Sequence, residues 1–164
     1  MEKVLVTGNA GSGKTTFATS LQRELNLPSY SLDSVVWKPG WKTAPDEERR
    51  EIILKLSLKD VWIIDGVSRV LFEASDTIFF LDIPLYRCLV NILKRFLSNG
   101  FKTRESLPEN CPEYIGVFKA IRIAFIYQKQ TRPAILQMIQ AFPEKKIVWI
   151  KDHDQLAHWK TMVK

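Results

Sequence analysis

The chain has 164 residues, 46% hydrophobic and 26% charged, with a net charge of +6. That balance belongs to a soluble globular chain with enough residues for one buried core, so a single domain over 1–164 is expected. No apolar run approaches the ~18 residues that cross a bilayer, and Met1-Glu2-Lys3-Val4 lacks a signal-peptide layout, so no membrane partner and a cytoplasmic location are expected.

The first element is a short β-branched run, Lys3-Val4-Leu5-Val6-Thr7, read as a buried strand. It runs into Gly8-Asn9-Ala10-Gly11-Ser12-Gly13-Lys14-Thr15, a complete Walker A loop. Residues 15–25 have no Gly or Pro and carry Phe17, Leu21 and Leu25 at helical spacing. A strand, a glycine loop and a helix in this order turn backbone N–H groups and a helix N-terminus toward an anion. Gly8, Gly11, Ser12, Gly13, Lys14, Thr15 and Thr16 are therefore the expected nucleotide-binding residues. Lys14 is expected on the β- and γ-phosphates, and the Thr15 hydroxyl on Mg²⁺.

Further strands are predicted at 29–32, a weaker run, and at 61–64, 77–81 and 146–150, which are apolar almost throughout, as when helices cover both faces of a sheet. A helix opens near Thr43-Ala44-Pro45-Asp46, with Ile52, Ile53 and Leu56 as its buried stripe and Arg49 and Arg50 outside it. Between the fourth and fifth strands lie about 60 residues, more than one crossover needs. Helices are predicted at 85–97, 113–130 and 133–141, around a Gly- and Pro-containing stretch at 99–112. Eight basic residues between Lys94 and Arg132 face three acidic ones.

Strand ends supply the candidate carboxylates. Asp65, after Val61-Trp62-Ile63-Ile64, has the Walker B form and is expected at the Mg²⁺. Asp82 ends the next strand, as a cap or a metal neighbour. Asp33 ends the second strand and either anchors an acceptor hydroxyl and takes its proton or caps a turn. Arg69, four residues after Asp65, is expected on the acceptor side. Arg95 and Arg132, near the ends of the basic insertion (about 95–132), are read as lid residues closing over the phosphoryl group, against a solvated helix face. Trp37-Lys38-Pro39-Gly40-Trp41 is read as an aromatic wall of an acceptor pocket within residues 33–60. Cys88 and Cys111 have no metal-ligand spacing and are expected as reduced thiols.

The Walker A loop, Asp65-Gly66 with Arg69 three residues on, and the arginine-bearing insertion resemble the adenylate kinase-like group of P-loop kinases. In that group the Asp lies near magnesium and the Arg on the acceptor phosphate. Leu32-Asp33, Trp37-Lys38-Pro39-Gly40-Trp41, Trp62 to Gly66, Asp76-Thr77-Ile78, Lys94-Arg95, Cys111-Pro112-Glu113 and Arg132-Pro133 also resemble the FlaR-type DNA topology modulation proteins. Val67-Ser68 stand where nucleotide kinases usually carry Phe-Pro, and the short acceptor-side segment is also similar to that of shikimate and gluconate kinases. No helix-turn-helix, zinc finger or basic arm accompanies the resemblance to topology modulators.

The expected fold is a three-layer α/β P-loop NTPase domain with a five-stranded parallel sheet of order 2-3-1-4-5 and a helical lid insertion. The expected activity is Mg²⁺-dependent transfer of the ATP γ-phosphate to a nucleotide or nucleoside, or else to a hydroxylated metabolite. A nucleotide-dependent regulator of DNA topology with slow ATPase activity is the alternative. Oligomeric state is not legible from the sequence.

Overall fold

The computed structural model describes residues 1–99, 109–111 and 113–162. Strand β1 (Lys3–Gly8) lies at the centre of the main sheet. Its neighbours are β5 (Trp62–Asp65) and β6 (Thr77–Leu81), with β2 (Ser29–Ser31) and β7 (Lys146–Ile150) at the edges. All four pairings are parallel. Among these five strands the order is second, third, first, fourth, fifth, as expected. The numbering shifts only because the aromatic loop forms its own antiparallel ribbon, β3 (Trp37–Lys38) with β4 (Lys42–Thr43).

Alternation along β1 explains why the strand is apolar throughout. Val4 and Val6 face one layer with Phe17, Leu21, Phe79 and Trp159. Leu5 faces the other with Trp62, Ile64, Leu71 and Phe72. Each such side chain contributes about 1.5–3 kcal/mol on burial, so a polar residue on either face of β1 would open one layer. Helix α1 (Lys14–Leu25) presents Phe17, Ala18 and Leu21 to the first layer, while its last residue, Leu25, is only partly buried. It ends at Asn26, whose left-handed φ of 54° suits this residue type.

The remaining elements hang on this frame. Ser31 caps the short α2 (Leu32–Val36), and Pro45 precedes α3 (Asp46–Ser57). Ser68 caps α4 (Arg69–Ala74). Helix α5 (Leu85–Asn99) packs on α6 (Glu113–Ile126) through Leu89, Ile92, Val117 and Ala124. A single π turn, Tyr127–Thr131, joins α6 to α7 (Arg132–Ala141), so the two helices predicted here run on as one interrupted helix. Two short helices, α8 (His153–Ala157) and α9 (Trp159–Met162), close the chain. Most of the Gly- and Pro-containing stretch predicted at 99–112, with Lys102 and Arg104, lies outside the described residues. No helix among the described residues is long and apolar enough to cross a membrane.

Candidate active site

The parallel register sets the chemistry. Val6 pairs with Asp65, so β1 and β5 end side by side, and the loop that leaves β1 passes over the Asp65 carboxylate. Thr15, at the start of α1, donates its hydroxyl to Asp65 Oδ2 at 2.5 Å. The other oxygen, Oδ1, is buried with no hydrogen bond of good geometry, although the Ser31 side chain is near. Burial raises the Asp65 carboxyl above its ordinary value, against the pull of Thr15, Ser31 and Lys14. A hydroxyl beside a carboxylate with one unmet lone-pair set is a hard-oxygen arrangement that fits Mg²⁺.

The loop itself is braced from outside. Gly11 lies against α5, where a Cβ would come within 2.4 Å of the Cys88 carbonyl oxygen. Asn91 donates Nδ2 to the Gly11 carbonyl at 2.9 Å. Asn9, buried, donates Nδ2 to the Ala124 carbonyl on α6 at 3.2 Å and accepts from the Ala10 amide at 2.7 Å. Gly13 has φ +91° with open space around its Cβ position, a conformation only glycine adopts without strain. It starts α1 without any capping side chain, and the first turn holds no acidic residue. The helices after Ser31, Ser68 and Asp152 are all capped by those side chains. The N-terminus of α1 is thus the one of these four that keeps its amides for an external anion.

Lys14 folds back to donate Nζ to the Asn9 carbonyl at 2.6 Å. Its ammonium is lowered from the ordinary range, first by burial, with Asp33 and Asp65 pulling the other way and Arg95 adding to the depression. Lys14, Asp33, Asp65 and Arg95 therefore form one electrostatic group, assembled from α1, α2, β5 and α5.

A cavity of about 1180 Å³ opens over this group. Sites for one drug-sized ligand occupy roughly 300–1,000 Å³, so there is room for a nucleotide and a second molecule. Of the expected nucleotide-binding residues, Gly8, Gly11, Gly13, Lys14, Thr15 and Thr16 line it, with Asp33, Trp37, Asp65 and Arg95 of the other candidates. Ser12 is fully buried beneath the loop, its Oγ without a partner, and is not in the wall.

Arg132 and Arg69 are not brought to the cavity. Arg132 donates from Nε and Nη2 to the two oxygens of Asp82 at 2.7 and 2.8 Å, and Trp149 Nε1 adds a third bond at 3.2 Å. This bidentate pair ties α7 to the end of β6, which also gives Asp82 a structural use. Arg69 lies exposed on α4 and pairs with Glu73 one turn on. Arg122 is exposed on α6. The expected closing of Arg95 and Arg132 over the phosphoryl group thus reduces to Arg95.

Other cations line the cavity instead. Arg49 and Arg50 sit in the cavity wall from α3, the face that the helical pattern left outside the stripe. Arg49 pairs with Asp46 but buries an Nε that has no partner. Lys119 on α6 donates to the Trp41 carbonyl at 2.7 Å and lies 4.8 Å from the Trp37 ring centre. Trp41 is buried, at left-handed φ 59°, and its indole fills the notch at Gly116. Trp37 meets it edge to face at 5.2 Å. Tyr127, in the π turn, also lines the cavity and buries a hydroxyl without a partner. None of Arg49, Arg50, Asn91, Lys119 and Tyr127 stood out in the sequence as a site residue. The only early sign was that two adjacent arginines occupy the apparently solvated face of α3.

Cys88 and Cys111 are buried and not joined in a disulfide, and burial pushes the Cys88 thiol up to about 11. That thiol stays protonated at neutral pH and serves packing.

No protein-family model matches the chain, and no curated protein matches it. Among solved structures, the chain is similar to an unliganded sugar kinase from Janibacter sp., at 16% identity and a TM-score of 0.52, over 98% of this chain and 92% of that one. It is also similar to shikimate kinase from Acinetobacter baumannii in complex with shikimate, at 11% identity and a TM-score of 0.57, over 99% and 93%. At such identities the likeness establishes that the chain shares the fold of these two structures.

Proposed function

We propose that the chain is an ATP-dependent phosphotransferase acting in the cytoplasm on a small, anionic, hydroxyl-bearing acceptor, with a nucleoside monophosphate as the best-fitting class. One observation carries this reading: the cavity over the phosphate loop and the Thr15–Asp65 pair is also lined by Asp33, Trp37, Arg49 and Arg50. A pure ATP-binding module has no need of that further lining. The two kinase-fold neighbours are compatible with it.

In this reading the α1 amides and Lys14 hold the β- and γ-phosphates, Lys14 leaving the Asn9 carbonyl to do so. Thr15 and Asp65 would hold Mg²⁺, which when bound neutralises charge on the transferring group. Arg95 adds positive charge from α5 where charge spreads in the transition state. Asp33 orients the acceptor hydroxyl and accepts its proton. Arg49 and Arg50 bind the acceptor's anionic group, and the apolar faces of Trp37 and Ile53 flank its body. Lys119 and the α6 roof exclude water, which suppresses hydrolysis of ATP.

The test is ADP formation from Mg·ATP with a panel of nucleoside monophosphates, nucleosides, shikimate, gluconate and related hydroxylated metabolites. An anionic acceptor is expected to raise turnover at least ~10-fold over water, about 1.4 kcal/mol of barrier. Stimulation only by uncharged acceptors would remove the role of Arg49 and Arg50. The resemblance to topology modulation proteins keeps a second reading, a nucleotide-dependent regulator that contacts DNA, favoured by the exposed Lys94 and Arg122 on α5 and α6. ATP-independent, salt-sensitive duplex binding that is lost on changing those two residues, without stimulation by any acceptor, would select it.

A further inference from the structure

Lysines bonded to main-chain carbonyls fall into two kinds in this chain. Lys3 donates to the Ser57 carbonyl at 3.3 Å, where α3 ends. Lys145 donates to the Glu73 and Ser75 carbonyls at 2.7 and 2.8 Å, where α4 ends. A helix C-terminus offers unpaired carbonyls and the negative end of its dipole, so a cation settles there. Lys14 and Lys119 have no such place. Lys14 rests on the Asn9 carbonyl in the phosphate loop, and Lys119 on the Trp41 carbonyl in the turn between β3 and β4. Neither carbonyl ends a helix, and both lysines line the cavity.

Lys119 has two further contacts, both aromatic. Its Nζ lies 4.8 Å from the Trp37 ring centre and 5.8 Å from that of Trp41. One neutral carbonyl and two ring faces hold an ammonium less firmly than a charge-assisted bond to an anion does. The four-carbon stem lets the charge swing while α6 stays in place.

The aromatic wall has other ties than this lysine. The Trp41 indole fills the notch at Gly116, and the Trp41 amide donates to Cys111 Sγ at 3.4 Å. The Gly40 amide donates to the Asn110 carbonyl at 3.1 Å. Holding the wall is therefore a weak reason for a cation at position 119. Arg49 and Arg50 reach the same cavity from α3, so an anion inside it can meet cations from two elements.

We infer that Lys119 is an acceptor-binding residue. It exchanges the Trp41 carbonyl and the Trp37 ring for the anionic group of the acceptor, as Lys14 exchanges the Asn9 carbonyl for the phosphates of ATP. This rests on the acceptor reading of the cavity given above.

The experiment is calorimetric titration of the full chain, with the phosphate loop first filled by Mg²⁺ and a non-hydrolysable ATP analogue. The probes are AMP and adenosine, which share ring and sugar and differ in the anion. Lys119→Met should weaken AMP at least ~10-fold and leave adenosine within about twofold, with unchanged affinity for the ATP analogue. Lys119→Arg keeps the charge and should bring AMP back to within about threefold of the wild type. Unchanged AMP affinity in Lys119→Met overturns the inference. So does an equal loss of AMP and adenosine, which would make the lysine a brace of the aromatic wall. Both of those results leave the proposed function standing. A wild-type chain that binds no AMP once the loop is filled overturns that function, and this inference with it.

Discussion

The two ends of the cavity are built by different means. The phosphate end is made of backbone: eight consecutive residues, an uncapped helix start and one carboxylate delivered by strand register. The acceptor end is made of side chains from α2, α3, the β3–β4 ribbon and α6, none adjacent in sequence to all the others. A backbone site can be specific for phosphate but says little about the molecule carrying it. A side-chain site can be re-shaped by single substitutions, so under the proposed function the choice of acceptor would rest on a few residues such as Arg49, Arg50 and Trp37.

The sharpest way to break this contrast is at Lys14. Lys14→Ala should lower phosphoryl transfer by about 10²–10³ and weaken ATP binding, with circular dichroism unchanged. Wild-type turnover in that variant would show that the loop does not hold the triphosphate in the proposed way. Asp33→Asn comes next. Transfer should fall by about 10² while ATP affinity, measured by calorimetry, stays within a factor of two. A loss of ATP binding as well would move Asp33 from the acceptor end to the phosphate end.

A smaller effect tests the acceptor end alone. Arg50→Ala should raise the acceptor KM about 10-fold, near 1.4 kcal/mol, and leave the KM for ATP unchanged. Equal changes in both constants would mean that the cavity does not divide as described.

The smallest expected effect concerns stability. Asp65 is buried with one oxygen unmet, and its carboxyl is raised by that burial. Its ionisation in the folded chain is therefore unfavourable. The stability associated with the protonated form is present below the ordinary carboxylate range, near pH 4, and is lost as pH climbs through the raised value. Asp65→Asn should make the ligand-free protein more stable by about 1 kcal/mol at neutral pH, and the gain should vanish toward pH 4. The same variant should lose the added stabilisation that Mg·ATP gives the wild type. Thermal melts over pH, with and without Mg·ATP, measure both; a ligand-free variant less stable than wild type would sink this account of Asp65.

What could be read from the sequence follows the same division. Walker A and the five main-sheet strands are local patterns, and strand-end Asp65 inherits its place from the order of the sheet. Arg49 and Arg50 were visible only as an off-stripe pair, because helical periodicity tells which face leaves the core, not what faces it instead. Arg132 shows the converse. Charge density marked it as a lid residue, but its partner is Asp82, fifty positions away, and a side chain with four or more bonds of reach takes the nearest carboxylate that folding provides. The burial of Trp41 was equally hidden, since it depends on the missing side chain of Gly116 on another helix.

That notch has a consequence for how the cavity is held together. Trp41 in the Gly116 gap and the Lys119 bond to its carbonyl join the aromatic wall to α6, and the Gly40 amide bonds the Asn110 carbonyl ahead of that helix. Asn9 joins α6 to the phosphate loop. A continuous chain of contacts thus runs from the aromatic wall through α6 to the phosphate loop. Under the proposed function, a coupling carried by α6 would change the two affinities by the same factor. A Cβ at position 116 would stand 2.2 Å from the indole. Gly116→Ala would therefore displace Trp41 from the notch and loosen the tie between the aromatic wall and α6.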